Sequence, residues 1–201
     1  CIWLMPFYPT ANQDDGYDIT DYYGVDPRLG TLGDLAVFLR TARDRGIRVI
    51  ADLVVNHTSD QHPWFRSAAS DRNSPFRDWY VWRDEIPEDG PDEVIFPDQE
   101  DSIWEWHEET GQYYLHRFYA HQPDLNIGNP LVREEIHKIV GFWLQLGLSG
   151  FRVDAVPYLL DTQGLKAPPD LDLHDWLRDL RSFVQRRCGE AVLLGEVNLP
   201  Y

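Results

Sequence analysis

Three stretches of this chain repeat one pattern: a capped helix, a glycine stop, a short apolar strand and a carboxylate at the strand's end. In the first, Thr31 with Asp34 three residues on carries a capping-box signature. Leu32, Leu35, Ala36, Leu39 and Ala42 follow helical spacing, Gly46 supplies the stop, and Ile47 to Val55 reads as a buried strand with Asp52 near its end. In the second, Asn129 is the N-cap and Pro130 the first helical residue. Val132, Ile136, Ile139, Val140, Trp143 and Leu144 form its stripe, Gly147 ends it, and Phe151 to Ala155 is a strand ending around Asp154. The third begins near Asp172, with Trp176, Leu177, Leu180, Phe183 and Val184 on one face. Gly189 stops it, and Ala191 to Val197 is a strand containing Glu196. Helices alternating with nearly continuous apolar strands predict a parallel sheet covered by helices. A doubly wound sheet and a (β/α)8 barrel both satisfy that pattern. The strand-end carboxylates favour the barrel, whose catalytic residues come from the C-terminal ends of several strands.

Asp154 and Glu196 lie about 40 residues apart, one βα repeat, whereas Asp52 and Asp154 lie about 100 apart, too far for a simple loop. An insertion therefore follows the Asp52 strand. The chain divides into barrel parts at 1–57 and 123–201 and an inserted subdomain at 58–122, expected to have little regular structure. The insertion holds Trp64, Trp79, Trp82, Trp104 and Trp106 of the chain's 8 Trp. They suit a compact core or, alternatively, apolar platforms for sugar rings.

The net charge of −16 excludes the clustered cations that nucleic acid or an anionic membrane surface would require. The longest uncharged apolar run, Ile139 to Phe151, is too short to span a bilayer. Two cysteines, Cys1 and Cys188, make neither a disulfide scaffold nor a zinc site. The chain opens on Cys1 in an apolar run, without a signal peptide, and reads as a piece of something longer.

Residues i and i+2 of a strand face the same side, so Arg152 and Asp154 both point into the barrel. A carboxylate beside Arg is expected to stay ionised, the state a nucleophile needs; a structural ion pair is the plain alternative. Glu196, one strand away, is expected to be held partly protonated by repulsion and burial, as a general acid. Taken singly, it reads as a solvated strand-end residue. Two such carboxylates about 5–5.5 Å apart are the geometry of retaining glycosidases. No Walker A, dinucleotide fingerprint, HExxH or GxSxG pattern appears.

Asp52-Leu-Val-Val-Asn-His57, Gln122-Pro-Asp-Leu-Asn126, Gly150-Phe-Arg-Val-Asp-Ala155 and Gly195-Glu-Val-Asn198 resemble, in order and spacing, four regions of the α-amylase family of glycoside hydrolases. Ile2-Trp-Leu-Met-Pro6 is similar to that family's second barrel strand, and Asp14-Asp-Gly-Tyr-Asp18 to the loop after it. The likeness covers essentially the whole chain. It implies a partial barrel, about strands two to five, with the inserted subdomain after the third. Asp154 would form a covalent glucosyl intermediate, Glu196 would be general acid and base, and Arg152 would orient Asp154. Asp14, Tyr17, Asp52 and His57 would line the pocket for the non-reducing glucose, with Tyr17 stacked under the ring. Asn56, Asp124, Asp161 and the backbone oxygens of Tyr158 and Leu159 would hold a structural calcium, which oxygen ligands suit. No organic cofactor is implied. A second Asp that stabilises the transition state falls beyond the chain.

Within the family, His116-Arg-Phe-Tyr-Ala-His-Gln-Pro-Asp-Leu-Asn126 and Val153-Asp-Ala-Val-Pro-Tyr-Leu-Leu160 resemble the members that interconvert maltose and trehalose. His62-Pro-Trp-Phe-Arg66 and Tyr80-Val-Trp-Arg83 agree, though α-glucosidases have similar runs. The implied partners are maltose, trehalose or short α-glucans in the cytoplasm, with neither nucleic acid nor membrane, and a homo-oligomer is left open. The alternatives are an α-glucosidase or α-amylase, and a non-catalytic barrel scaffold, which would be expected to have lost Asp52, Asp154 and Glu196.

Overall fold

The computed structural model describes residues 1–87, 94–160 and 171–197. Strand β1 (Ile2–Leu4) is followed by helix α1 (Leu32–Asp44) and strand β2 (Val49–Leu53). Helix α2 (Pro63–Ser70), a 3₁₀ turn at Arg77–Trp79 and strands β3 (Trp82–Arg83), β4 (Trp104–His107) and β5 (Gln112–Leu115) come next. Helix α3 (Pro130–Leu146), strand β6 (Gly150–Val153), the single-turn helix α4 (Val156–Leu159), helix α5 (Leu173–Arg187) and strand β7 (Val192–Gly195) complete the order. Strands β1, β2, β6 and β7 are all parallel and pair in that sequence, making part of a (β/α)8 barrel.

The helices begin where their caps place them. The Thr31 hydroxyl accepts from Asp34 N–H, and the Asp34 carboxylate accepts from Thr31 N–H at 2.9 Å, closing the capping box. Asn129 and Asp172 cap α3 and α5 through their side chains. Gly147 ends α3 with φ +124, a backbone that L side chains rarely adopt. At α5 the expected stop is displaced. The helix ends at Arg187, extended Cys188 caps it, and Gly189 takes no positive φ. The strands are also shorter than their apolar runs: Val54 and Val55 leave the β2 ladder yet remain buried.

One face of the parallel sheet carries Ala51, Leu53, Phe151 and Val153, all buried against Ile139, Val140 and Trp143 of α3 and Leu180 and Val184 of α5. Helix α1 buries Leu39 and Ala42 but leaves Leu32 exposed, so only its later turns reach the core. Gly150 is required where it stands. Its φ is +147, and a Cβ there would lie 2.1 Å from the Val192 carbonyl oxygen, breaking the approach of β6 to β7.

The insertion is more regular than its sequence suggests. Strands β3, β5 and β4 form a three-stranded antiparallel sheet, with Trp106 paired to Tyr113 across a tight turn closed by Gly111 at φ +58. Strands of two to four residues are too short for alternation to register. Trp79, Trp82 and Trp104 are buried and Trp64 is half-buried. Trp82 lies between the stacked Phe65 ring at 5.6 Å and the Arg77 guanidinium at 3.5 Å. These four are packing residues, and of the five Trp in the insertion Trp106 alone presents a substantially exposed indole. Among the described residues no helix is long and apolar enough to cross a membrane.

Candidate active site

Strand register assembles the site. Asp52 pairs with Arg152, and Arg152 pairs with Leu194. Alternation turns Trp3, Asp52, Arg152 and Leu194 to the face opposite the helices, and Asp154 and Glu196 follow two residues later. The ladder continues past the strand ends: Asp154 N–H donates to Leu53 O at 3.1 Å and Glu196 N–H to Val153 O at 2.9 Å. Three carboxylates thus converge on one guanidinium. Arg152 Nη1 pairs with Asp52 Oδ1 and lies 3.1 Å from Asp154 Oδ1, while Nη2 lies 2.6 Å from Glu196 Oε1. Ala155, next in chain, sits at φ +53, a strained setting for a residue with a Cβ. That turn lets its N–H donate to Glu196 Oε2 at 3.1 Å.

The protonation pattern reverses the expected one. Burial, reinforced by the negative Glu196, pushes Asp154 up to about 7 despite Arg152. Glu196 is lowered: burial works against its charge, but the Ala155 N–H, the Asp154 carboxyl and Arg152 outweigh it. Arg152 is not Asp154's own partner, because Asp52 shares one arm and Glu196 takes the other. The two carboxyls face each other across neighbouring strands, both within reach of Arg152. They therefore titrate as a coupled pair, Asp154 shifted upward and Glu196 downward.

The other expected pocket residues surround this cluster. Asp52 is fully buried with both oxygens engaged, Oδ1 by Arg152 and Oδ2 by Trp3 Nε1 at 2.9 Å. It holds Arg152 and presents no free oxygen. Burial raises its pKa, and Arg152 and Trp3 oppose that rise. The Tyr17 hydroxyl accepts from Arg152 at 3.3 Å and is pushed up to about 12, chiefly by burial. His57 is buried and driven down to about 4 by desolvation, hence neutral, and its Nε2 has no protein partner. Asp14 Oδ2 accepts from Gln122 Nε2 at 2.7 Å, leaving Gln122 Oε1 buried and unpartnered.

The chain matches the α-amylase catalytic domain over residues 1–200. It belongs to the α-amylase family. It is 47% identical over 200 residues to a trehalose synthase of Pimelobacter sp. (strain R48), covering 98% of this chain and 35% of that protein. The structure of Bacillus licheniformis trehalose-6-phosphate hydrolase superposes with a TM-score of 0.87 at 37% identity, over 100% of this chain and 38% of that one. That of the trehalulose synthase of Pseudomonas mesoacidophila MX-45 does so at 0.84 and 36% identity, over 97% and 37%. The chain therefore spans about a third of the length of these three relatives.

Of the donors that α-amylase-family likeness assigns to calcium, the fold brings Asn56 and Asp124 together, 3.2 Å apart. Asp161 lies outside the described residues. Tyr158 rests near the same segment through Phe118, at 5.3 Å between rings. Asp124 is fully buried and already accepts from Arg117 Nη1 at 2.8 Å, yet burial still pushes it up to about 6. Both its oxygens are engaged, Oδ1 by Asn56 Nδ2 and Arg117 N–H and Oδ2 by Arg117 Nη1, so a cation held here would share Asp124 with Arg117; carboxylate and amide oxygens are donors of the right kind. Among the described residues no three His, Cys, Asp or Glu gather for a metal, so any set here rests on Asn56 and backbone oxygens as well. Two neighbours of the α-amylase site, Trp3 and Gln122, carry no titratable group and drew no role from the sequence, although both lie within its motifs.

Proposed function

We propose that this chain supplies the nucleophile and acid–base pair of a retaining α-glucosyl enzyme that interconverts maltose and trehalose. The observation that carries this reading is the single Arg152 guanidinium facing Asp52, Asp154 and Glu196 on three neighbouring strands. With an α-glucoside between the two carboxyls, the shared proton passes to Glu196, which protonates the leaving oxygen. Asp154, now ionised, attacks the anomeric carbon as that bond breaks, forming a glucosyl ester. Glu196 then removes a proton from the group that attacks the ester. Asp14, Tyr17, His57 and Gln122 offer the polar contacts for the sugar, with His57 Nε2 and Gln122 Oε1 the buried unpartnered atoms.

Isomerase and hydrolase differ only in the second attack. A hydrolase admits water. An isomerase retains the released glucose and accepts attack from its anomeric hydroxyl, which requires a cover over the site. The end of the insertion provides one, since Phe118 packs on His57 at 5.2 Å and Gln122 bonds Asp14. The complete enzyme is expected to turn maltose mainly into trehalose, with glucose as a minor leak, measured by chromatography. Glucose as the sole product would replace this reading with an α-glucosidase.

A pair holding one proton predicts a bell-shaped pH dependence of kcat/KM. Activity falls above about pH 7 as the proton leaves, and again below the lowered pKa of Glu196 as a second proton joins. Rates at saturating and limiting maltose from pH 4 to 9 check this.

Calcium belongs to the same proposal. Asn56 and Asp124 would hold it, and it would supply positive charge where the chain leaves the barrel for the insertion and returns from it; no step uses it. Chelation, verified by metal analysis, should lower the melting temperature of the complete enzyme by several degrees. An unchanged transition after confirmed metal removal would dismiss the site.

A further inference from the structure

Trp3 lies on the inner face of β1. Its neighbours on the strand, Ile2 and Leu4, pack against the helix-covered core, whereas Trp3 turns to the face that carries Asp52 and Arg152. Trp3 makes two specific contacts there. Its Nε1–H donates to Asp52 Oδ2 at 2.9 Å, and its ring lies under the Arg152 guanidinium, 4.9 Å from Cζ to the ring centroid. Asp52 and Arg152 are themselves paired across β2 and β6. One rigid side chain from a third strand therefore touches both members of the pair.

We infer that Trp3 is a positioning residue for the site, its N–H holding the Asp52 carboxylate and its ring face holding the Arg152 guanidinium, so that Arg152 is aimed at Asp154 and Glu196. The chemistry needs both properties in one residue. Phe offers the face without the donor, and His or Gln offers a donor without an equivalent face. Asp52 has two oxygens and two donors, so losing Trp3 Nε1–H frees Oδ2 and lets the carboxylate turn. Arg152 Nη1 follows, because the same nitrogen serves Asp52 and Asp154. Trp3 does not touch the reacting atoms; it acts through two residues that adjoin them.

The kinetic part of this inference rests on the α-glucosyl reading above, and the stability part does not. In the complete enzyme, Trp3→Phe keeps the ring and removes the donor, while Trp3→Leu removes both. Trp3→Phe should lower kcat by about tenfold and Trp3→Leu by about a hundredfold, with KM changed less than about threefold. On the acid side, Trp3→Phe should lose activity at a higher pH than wild type does through Glu196, because an Asp52 lacking its donor protonates more readily and releases Arg152. Independently of any substrate, the melting temperature of Trp3→Phe relative to wild type should fall more at pH 8, where Asp52 is charged, than at pH 4. Trp3→Phe with wild-type kcat, pH profile and pH-dependent stability would overturn the inference. So would a loss of activity with an equal stability deficit at both pH values, which marks a purely structural residue. If wild type turns over no α-glucoside, the functional reading fails, and the pH-dependent stability difference alone then decides the inference about Trp3.

Discussion

Replacing Asp154 by Asn in the complete enzyme is expected to remove nearly all turnover of maltose, by about four powers of ten or more, while making the protein harder to melt. The first half follows from the proposed ester, since an amide oxygen is a poor nucleophile toward the anomeric carbon. The second half follows from the electrostatics. The Asp154 carboxyl is nearly buried, and Arg152 is divided among three acids, so burial pushes it up to about 7. A carboxyl whose folded pKa lies above its unfolded value stabilises the fold as the protonated form. That contribution is complete below about pH 4 and is lost as pH rises through about 7. Asn imitates the protonated carboxyl at every pH. The variant's gain in melting temperature should therefore be largest at pH 8 and nearly vanish at pH 4.5. More than about a tenth of wild-type activity would remove Asp154 from the nucleophile's role. A variant less stable at pH 8 would show that the charge on Asp154 is well accommodated.

The barrel part was readable in the sequence because its signals are local. Thr31 with Asp34, Asn129 before Pro130, and Asp172 each satisfy helix N–H groups within three residues, and Gly46 and Gly147 take the left-handed turn after their helices. The strand-end carboxylates could be recognised because each closes an apolar run. What stayed hidden depends on contacts between distant segments. The antiparallel sheet of the insertion is held by pairings such as Trp104 with Leu115 and Trp82 with Tyr114, in strands too short to show a period. The opposite shifts of the two carboxyls stayed hidden for a related reason. Arg152 two residues before Asp154 suggests a private ion pair, but register delivers Asp52 from β2 to one arm and Glu196 from beyond β7 to the other. A shared cation lowers each carboxylate less, and Asp154, the more buried of the two, is the one pushed up. Trp3 escaped notice because its role lies in an N–H and a ring face, and nothing in a strand's alternation distinguishes that from packing.

Replacing Glu196 by Gln should divide substrates according to whether their leaving group needs a proton. For maltose the leaving oxygen must be protonated as the bond breaks, and losing the general acid should slow the reaction by about 10²–10⁴-fold. For α-glucosyl fluoride the halide departs without that proton, so the first step should persist within about tenfold of wild type, whereas Asp154→Asn should lose both substrates. The neighbouring charge sharpens the test. Glu196 is the main charged group raising Asp154. Its removal leaves Arg152 Nη2 without that acid and lets Asp154 ionise at a lower pH than about 7. Fluoride release by Glu196→Gln should thus lose the alkaline limb near neutrality and continue into acid until Asp154 protonates. Gln can still accept the Ala155 N–H with its single amide oxygen, so the turn after Asp154 is preserved and the change reads as chemistry rather than misfolding. Equal loss on maltose and on the fluoride would mean that Glu196 only supports Asp154 through Arg152 and Ala155. The acid would then have to come from another residue.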